Sequence, residues 1–180
     1  MMQGDISTEK GFGALVGRFS PMHLGHQRLI EQLIATFGER HLILVGSCNH
    51  AVSFRHLFTY NDRCEFIRAV YPQAHLVGLP DFDENAEWFN QLDDTLALAN
   101  ANPSMVTYVG GCQEDVEFFI ESGRRVHILN RFSGETPHIS ATEVRDALIE
   151  HRPIDGLIDL RIVGLVKERF DLRWSALRKK

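Results

Sequence analysis

The 180-residue chain is 44% hydrophobic and 24% charged, ordinary for a soluble globular protein and long enough for one domain with a sizeable core. Its net charge of −5 speaks against a general nucleic-acid binder, which is usually basic, but leaves room for a small anion in a local basic pocket. Cys48, Cys64 and Cys112 are odd in number without CxxC spacing, and no apolar run reaches membrane-spanning or signal-peptide character, so a cytoplasmic protein with reduced thiols is expected, bound to neither membrane nor nucleic acid.

Residues 1–10 are polar and read as a flexible arm, and 11–180 as a single domain without repeat, low-complexity segment or linker. Ala14, Leu15 and Val16 form a short apolar run of strand type. A loop rich in glycine and histidine follows. Leu29, Ile30, Leu33, Ile34 and Phe37 then recur at helical spacing. Residues 41–46 are a second apolar run, suited to a strand covered on both faces. The polar loop 47–57 carries Asn49, His50, Ser53, Arg55 and His56. Thr59 and Asp62 resemble a capping box for a helix burying Phe66, Ile67 and Val70, and Pro72 ends it.

Residues 74–79 are a third strand candidate, followed by the acidic loop 80–85. The next helix carries Trp88, Phe89, Leu92 and Leu96 on one side. Residues 105–109 are a fourth strand, closed by Gly110 and Gly111. Val116, Phe119 and Ile120 mark a helix and 126–129 a fifth strand, and 130–138 reads as a loop. Ser140 and Glu143 give an S-x-x-E capping box opening a helix through Val144, Ala147 and Leu148. A long amphipathic helix is expected over 153–170, before a basic tail.

Alternation of strands and helices predicts an α/β fold, a Rossmann-like, doubly wound parallel sheet of five strands with helices on both faces. In such sheets ligands bind at the carboxyl ends of the strands, where the loops 17–26, 47–55 and 110–115 should converge. Two candidate anion sites lie there. The first is His23-Leu24-Gly25-His26 at a helix start, where unpaired backbone N–H groups and the helix dipole meet two imidazoles and Arg18. Zinc is a different reading of the two histidines, but zinc takes three or four protein ligands and no third has suitable spacing, so no metal-ligand cluster is expected. An incidental pair is another. The second site is Ser140, Thr142 and Arg145 at another helix start, which on its own reads equally as a capped surface helix. Two facing helix N-termini together suit a triphosphate.

Residues 17–26 (GRFSPMHLGH) paired with 139–145 (ISATEVR) resemble the nucleotidyltransferase superfamily with HxGH and ISxTxxR motifs. The likeness is greatest to archaeal-type nicotinamide mononucleotide (NMN) adenylyltransferases and extends over roughly residues 12–170. The family's glutamine and phenylalanine are replaced by Ser20 and Met22. An N/D-P-F-T segment following an arginine matches Arg55 and then His56-Leu57-Phe58-Thr59, with a departure at His56-Leu57. The resemblance implies that His23, His26 and Arg145 hold the ATP phosphates and that Arg18 and Arg55 attend the reacting phosphates. Gly17, Phe19, Gly25, Gly110, Ile139, Ser140 and Thr142 complete the implied ATP-binding set. Asp81, Asn85 and Trp88 match the pattern for the nicotinamide nucleotide. From the residues alone, Trp88 also reads as core beside Phe89 and Leu92, and Asp81 as a turn residue or helix cap.

The implied reaction joins ATP and NMN to give NAD and pyrophosphate, by in-line attack of the NMN phosphate on the α-phosphorus without a side-chain nucleophile. Mg²⁺ is implied with ATP, bridging phosphates and keeping several waters. A different acceptor, such as nicotinate mononucleotide or phosphopantetheine, is the neighbouring possibility. A non-catalytic NAD or ATP sensor is the alternative from another class. A homo-oligomer is the expected assembly.

Overall fold

A computed structural model describes residues 11–128 and 139–179 of the chain. Five parallel strands form one sheet: β1 (Phe12–Gly17), β2 (His41–Gly46), β3 (Leu76–Leu79), β4 (Val106–Gly110) and β5 (Arg125–Ile128). Their spatial order is β3-β2-β1-β4-β5. The chain winds outward from β1 to β3, returns to the other side of β1 and winds outward again to β5. The reversal lies between β1 and β4, paired from Phe12 with Val106 to Ala14 with Tyr108. A crevice therefore opens at the carboxyl ends of these two strands.

Among the described residues, α1 (Leu24–Phe37), α2 (Tyr60–Val70), α3 (Asn85–Leu98) and α4 (Glu117–Glu121) connect the strands, and α5 (Ala141–Ile149) and α6 (Val163–Leu177) follow the sheet. Alternation along the strands sorts the core into two layers. Leu15, Ile43 and Val45 face α1, α2, α5 and α6, while Ala14, Leu42 and Leu44 face α3 and α4. All six residues of β2 are buried, as its unbroken apolar run requires. The fold is the expected α/β Rossmann-like sheet covered on both faces.

The C-terminal segment differs from expectation. Ile154, Ile158, Ile162, Val166 and Phe170 are all buried and spaced by four, which reads as one continuous helix over 153–170. Instead, 155–157 is a turn followed by a bend at Ile158. Asp159 then caps a short 3₁₀ turn (Leu160–Ile162) by accepting from the Arg161 N–H at 2.8 Å. The helix proper is Val163–Leu177, displaced toward the basic tail. Arg173 holds it there, donating two hydrogen bonds to the buried Asp62 at 2.8 and 2.9 Å. Residues 1–10 and the predicted loop 130–138 lie outside the described residues, as does Leu129 of the predicted fifth strand. Among the described residues, no helix is long and apolar enough to cross a membrane.

Candidate active site

At the carboxyl end of β1 the backbone turns sharply. Phe19 has φ of 49°, a left-handed conformation uncommon for a side chain of this size, and its ring is fully buried. The turn delivers His23 to the N-cap of α1. Its Nδ1 accepts from the backbone N–H groups of Gly25 at 3.1 Å and His26 at 3.4 Å. In return, His26 Nδ1 accepts from the His23 N–H at 3.4 Å. The result is a capping box in which imidazoles replace the usual hydroxyl and carboxylate. An Nδ1 that accepts is unprotonated, so in each neutral ring the proton resides on Nε2. Two Nε2–H donors are thereby oriented by the same bonds that cap the helix. The rings lie 3.7 Å apart. Gly25 permits this fold-back, because a Cβ there would sit 3.0 Å from His23 Cε1.

Across the crevice, Ser140 caps α5 by accepting from the Glu143 N–H at 3.1 Å. Arg145, one turn further on, bridges the two motifs. It donates to the Ser20 carbonyl at 2.7 Å and the Thr142 hydroxyl at 2.9 Å. Burial lowers the pKa of its guanidinium, and the neighbouring Arg18 charge lowers it further. The cleft between the two helix N-termini has a volume of about 330 Å³. Arg18, Arg55, His56 and Arg63 also line it, and Asp115 is the one carboxylate among its described lining residues. A second hollow of about 370 Å³ lies near α5 and α6, but it mixes Arg152 and Lys167 with Asp155 and Asp171 and contains neither motif.

Arg63 was not foreseen from the sequence. Its guanidinium is buried and donates to the carbonyls of Arg18 (2.8 Å), Gly46 (2.6 Å), Ser47 (3.1 Å) and Thr59 (3.3 Å). It ties the ends of β1 and β2 to the start of α2. Burial pulls its pKa below the ordinary arginine value. Ser20, one of the family departures, lines the same cleft, and its buried hydroxyl has no hydrogen-bond partner among the described residues.

Of the predicted site residues, Arg18, Phe19, His23, His26, Arg55, Ile139, Ser140, Thr142 and Arg145 come together on the cleft wall. Gly17 and Gly25 are not among its lining residues. Gly110 closes β4, but its lack of a side chain answers to its own loop: a Cβ would lie 2.4 Å from Val116 Cγ1. Asp81, Asn85 and Trp88 are not gathered into the cleft lining. Trp88 is half-buried on the α3–α4 layer, with ring centroids 5.4 Å from Phe89 and 5.5 Å from Phe118, so aromatic packing turns it toward that layer. Asp81 is exposed and occupied locally. Its carboxylate lies 2.9 Å from His50 Nε2, and its backbone exchanges two hydrogen bonds with the Asn49 side chain. Asn85 opens α3 and is exposed. Among the described residues, no group of three or more His, Cys, Asp or Glu side chains is arranged to hold a metal.

The cytidylyltransferase-like family model matches residues 14–147, well over half of the chain and including both motifs, 17–26 and 139–145. The chain belongs to the cytidylyltransferase-like family. Within that family it is similar to the nicotinamide-nucleotide adenylyltransferase of Pyrococcus abyssi, at 28% identity over 162 residues, covering 87% of this chain and 82% of the relative. The protein of the same name from Thermococcus onnurineus is 26% identical over the same shares. Among solved structures, a bifunctional NMN adenylyltransferase/ADP ribose pyrophosphatase from Francisella tularensis superposes with a TM-score of 0.79 at 16% identity, a likeness of fold. It covers 94% of this chain but 53% of that one, so the cytidylyltransferase-like chain spans about half the length of that two-activity protein.

Proposed function

We propose that this chain is a nicotinamide-nucleotide adenylyltransferase, joining ATP and NMN to form NAD and release pyrophosphate. The observation that carries the reading is the imidazole capping box facing Arg145 across one cleft, in a chain 28% identical over most of its length to an enzyme of that name. In this reading the oxygen of the NMN phosphate attacks the α-phosphorus of ATP in line. The bond to the β-phosphate oxygen breaks and pyrophosphate leaves. No side chain enters the covalent chemistry, so catalysis consists of alignment and charge stabilisation.

His23 and His26 present their Nε2–H groups to the α-phosphate and its bridging oxygen. Because these donors are already fixed by backbone bonds, little reorganisation accompanies reaction. Arg145 binds the outer phosphates through the guanidinium hydrogens not used by Ser20 and Thr142. Arg18 and Arg55, both exposed on the cleft wall, hold the reacting phosphates, and Ser140, Thr142 and the α5 N-terminus complete the cradle. Gly17, Phe19, Gly25, Gly110 and Ile139 shape the ATP side.

A divalent cation fits as a companion of ATP and not as a resident of the protein. With Asp115 as the single described carboxylate of the lining, a Mg²⁺ ion would be held chiefly by phosphate oxygens and water. When bound, it neutralises charge on the leaving group. Asp81, Asn85 and Trp88 are the proposed nicotinamide end. In that role the Asp81 loop is linked to the phosphate cleft through His50 and His56. The arm 1–10 and a single domain over 11–180 complete the reading, in a homo-oligomer acting in the cytoplasm.

The test is pyrophosphate release from ATP with Mg²⁺ and a panel of acceptors. NAD should form with NMN, with less turnover on nicotinate mononucleotide and none on phosphopantetheine. Turnover with phosphopantetheine alone, or binding of ATP without turnover on any acceptor, would remove the assignment.

A further inference from the structure

His56 stands where the family pattern has asparagine or aspartate before its proline, and the loop 47–57 is built to present it. Its backbone N–H donates to the Ser53 hydroxyl, and its carbonyl accepts from the Ser53 N–H, both at 3.1 Å. Its half-buried ring lies on the cleft wall beside Arg18 and Arg55. It stacks on His50 with centroids 4.3 Å apart and planes 6° from parallel. His50 is in turn anchored through Nε2 to the Asp81 carboxylate at 2.9 Å. An imidazole clamped in this way has its ring plane set before any ligand arrives.

Among the described residues, Arg18 and Arg55 face it as cations, Asp81 opposes them, and the titratable His50 lies against its ring. Burial lowers the His56 pKa, and the neighbouring His50, Arg18 and Arg55 lower it further, which favours the neutral ring at neutral pH. A phosphate placed among the same arginines offsets their charge and adds an acceptor beside the ring. A neutral ring that accepts a solvent proton then becomes a charge-assisted donor to a phosphate oxygen.

We propose that His56 is a further phosphate-binding residue of this cleft, held by its stack on His50 and taking up a proton as the nucleotide binds. The proposal rests on reading the cleft as a nucleotide site. The phosphate belongs to ATP or to NMN, and the experiment separates the two.

ATP and NMN are titrated separately by calorimetry into wild type, His56→Asn and His56→Arg, each in two buffers of different ionisation enthalpy. One ligand should bring proton uptake in wild type and less of it in His56→Asn. For that ligand, His56→Asn should bind roughly three- to tenfold more weakly near pH 6.5 and lose less near pH 8.5. His56→Arg, permanently charged, should bind at the higher pH at least as well as wild type and show the reduced proton uptake. The affected ligand identifies the phosphate. Equal proton uptake in wild type and His56→Asn would overturn the proposal. So would an affinity loss equal at both pH values, or His56→Arg binding no better than His56→Asn. Binding needs no turnover: failure of the wild type to make NAD would remove the reaction, while these titrations would still decide His56.

Discussion

The two ends of the proposed substrate site are built differently. At the phosphate end, five of the polar side chains are braced by backbone. His23 and His26 cap α1, Ser140 caps α5, Arg145 grips the Ser20 carbonyl, and Arg63 sews three loops together. At the Asp81–Trp88 end, the carboxylate is exposed and tethered to an exposed histidine, and the indole is packed against Phe89 and Phe118. A phosphate is the same group in every nucleotide, so a rigid cradle suits it. In the proposed function the Asp81–Trp88 end would carry the choice of acceptor, and it is held by fewer, more accessible bonds, which solvent screens.

Breaking the rigid end should have the largest effects. His26→Ala should cut kcat roughly 10²–10³-fold, the usual cost of removing one donor to developing charge, with a small loss of melting temperature from the missing cap. Steady-state kinetics at saturating ATP and NMN check this, and near-normal kcat would take His26 out of the mechanism. Arg63→Met leaves carbonyls at the ends of β1 and β2 short of a buried donor and should lose about 2–3 kcal/mol of stability, read by denaturant unfolding. Arg145→Lys keeps the charge but loses the planar fork, so ATP should bind roughly tenfold more weakly while circular dichroism stays unchanged.

Trp88→Ala sharpens the other side of the comparison. With the indole packed on α4, the variant should melt earlier, by about 1–2 kcal/mol for a half-buried aromatic, and bind ATP as before. A selective rise in KM for NMN in the folded variant would show that the ring turns toward substrate. The smallest effect concerns acid. Burial pushes the Asp62 carboxyl up, but hydrogen bonds from Arg173 and Thr59 outweigh burial and leave its pKa below the ordinary aspartate value. The stability it contributes is therefore fully present above about pH 4 and lost as pH falls further through its folded pKa. Asp62→Asn should flatten that acid limb of the stability profile, measured by thermal unfolding across pH.

The phosphate end was legible because its chemistry is contiguous. A helix start announces itself within four residues, so His23 through His26 and Ser140 through Glu143 stand out in one reading. Arg63 did not stand out: three of its four described acceptors are backbone carbonyls 16, 17 and 45 residues away, and a backbone carbonyl leaves no mark in sequence. The His50–His56 stack is hidden for a related reason, since ring orientation depends on loop closure through Ser53. Trp88 showed both its faces in sequence, and only the position of Phe118 on another helix decides which one is buried. The displaced start of α6 shows that apolar spacing constrains burial more tightly than helicity: the isoleucines at 154 and 158 keep the period without the helix.

Asp62 closes the capping box of α2 beside the cleft, yet it receives Arg173 from 111 residues further along the chain. Phe54, on the loop that carries Arg55, likewise meets Trp174 edge-on at 5.5 Å. During synthesis, then, the loops that later cradle a nucleotide emerge from the ribosome long before the helix that steadies them. Maturation of the site must wait for this late, long-range docking, which is the kind of contact that slows folding.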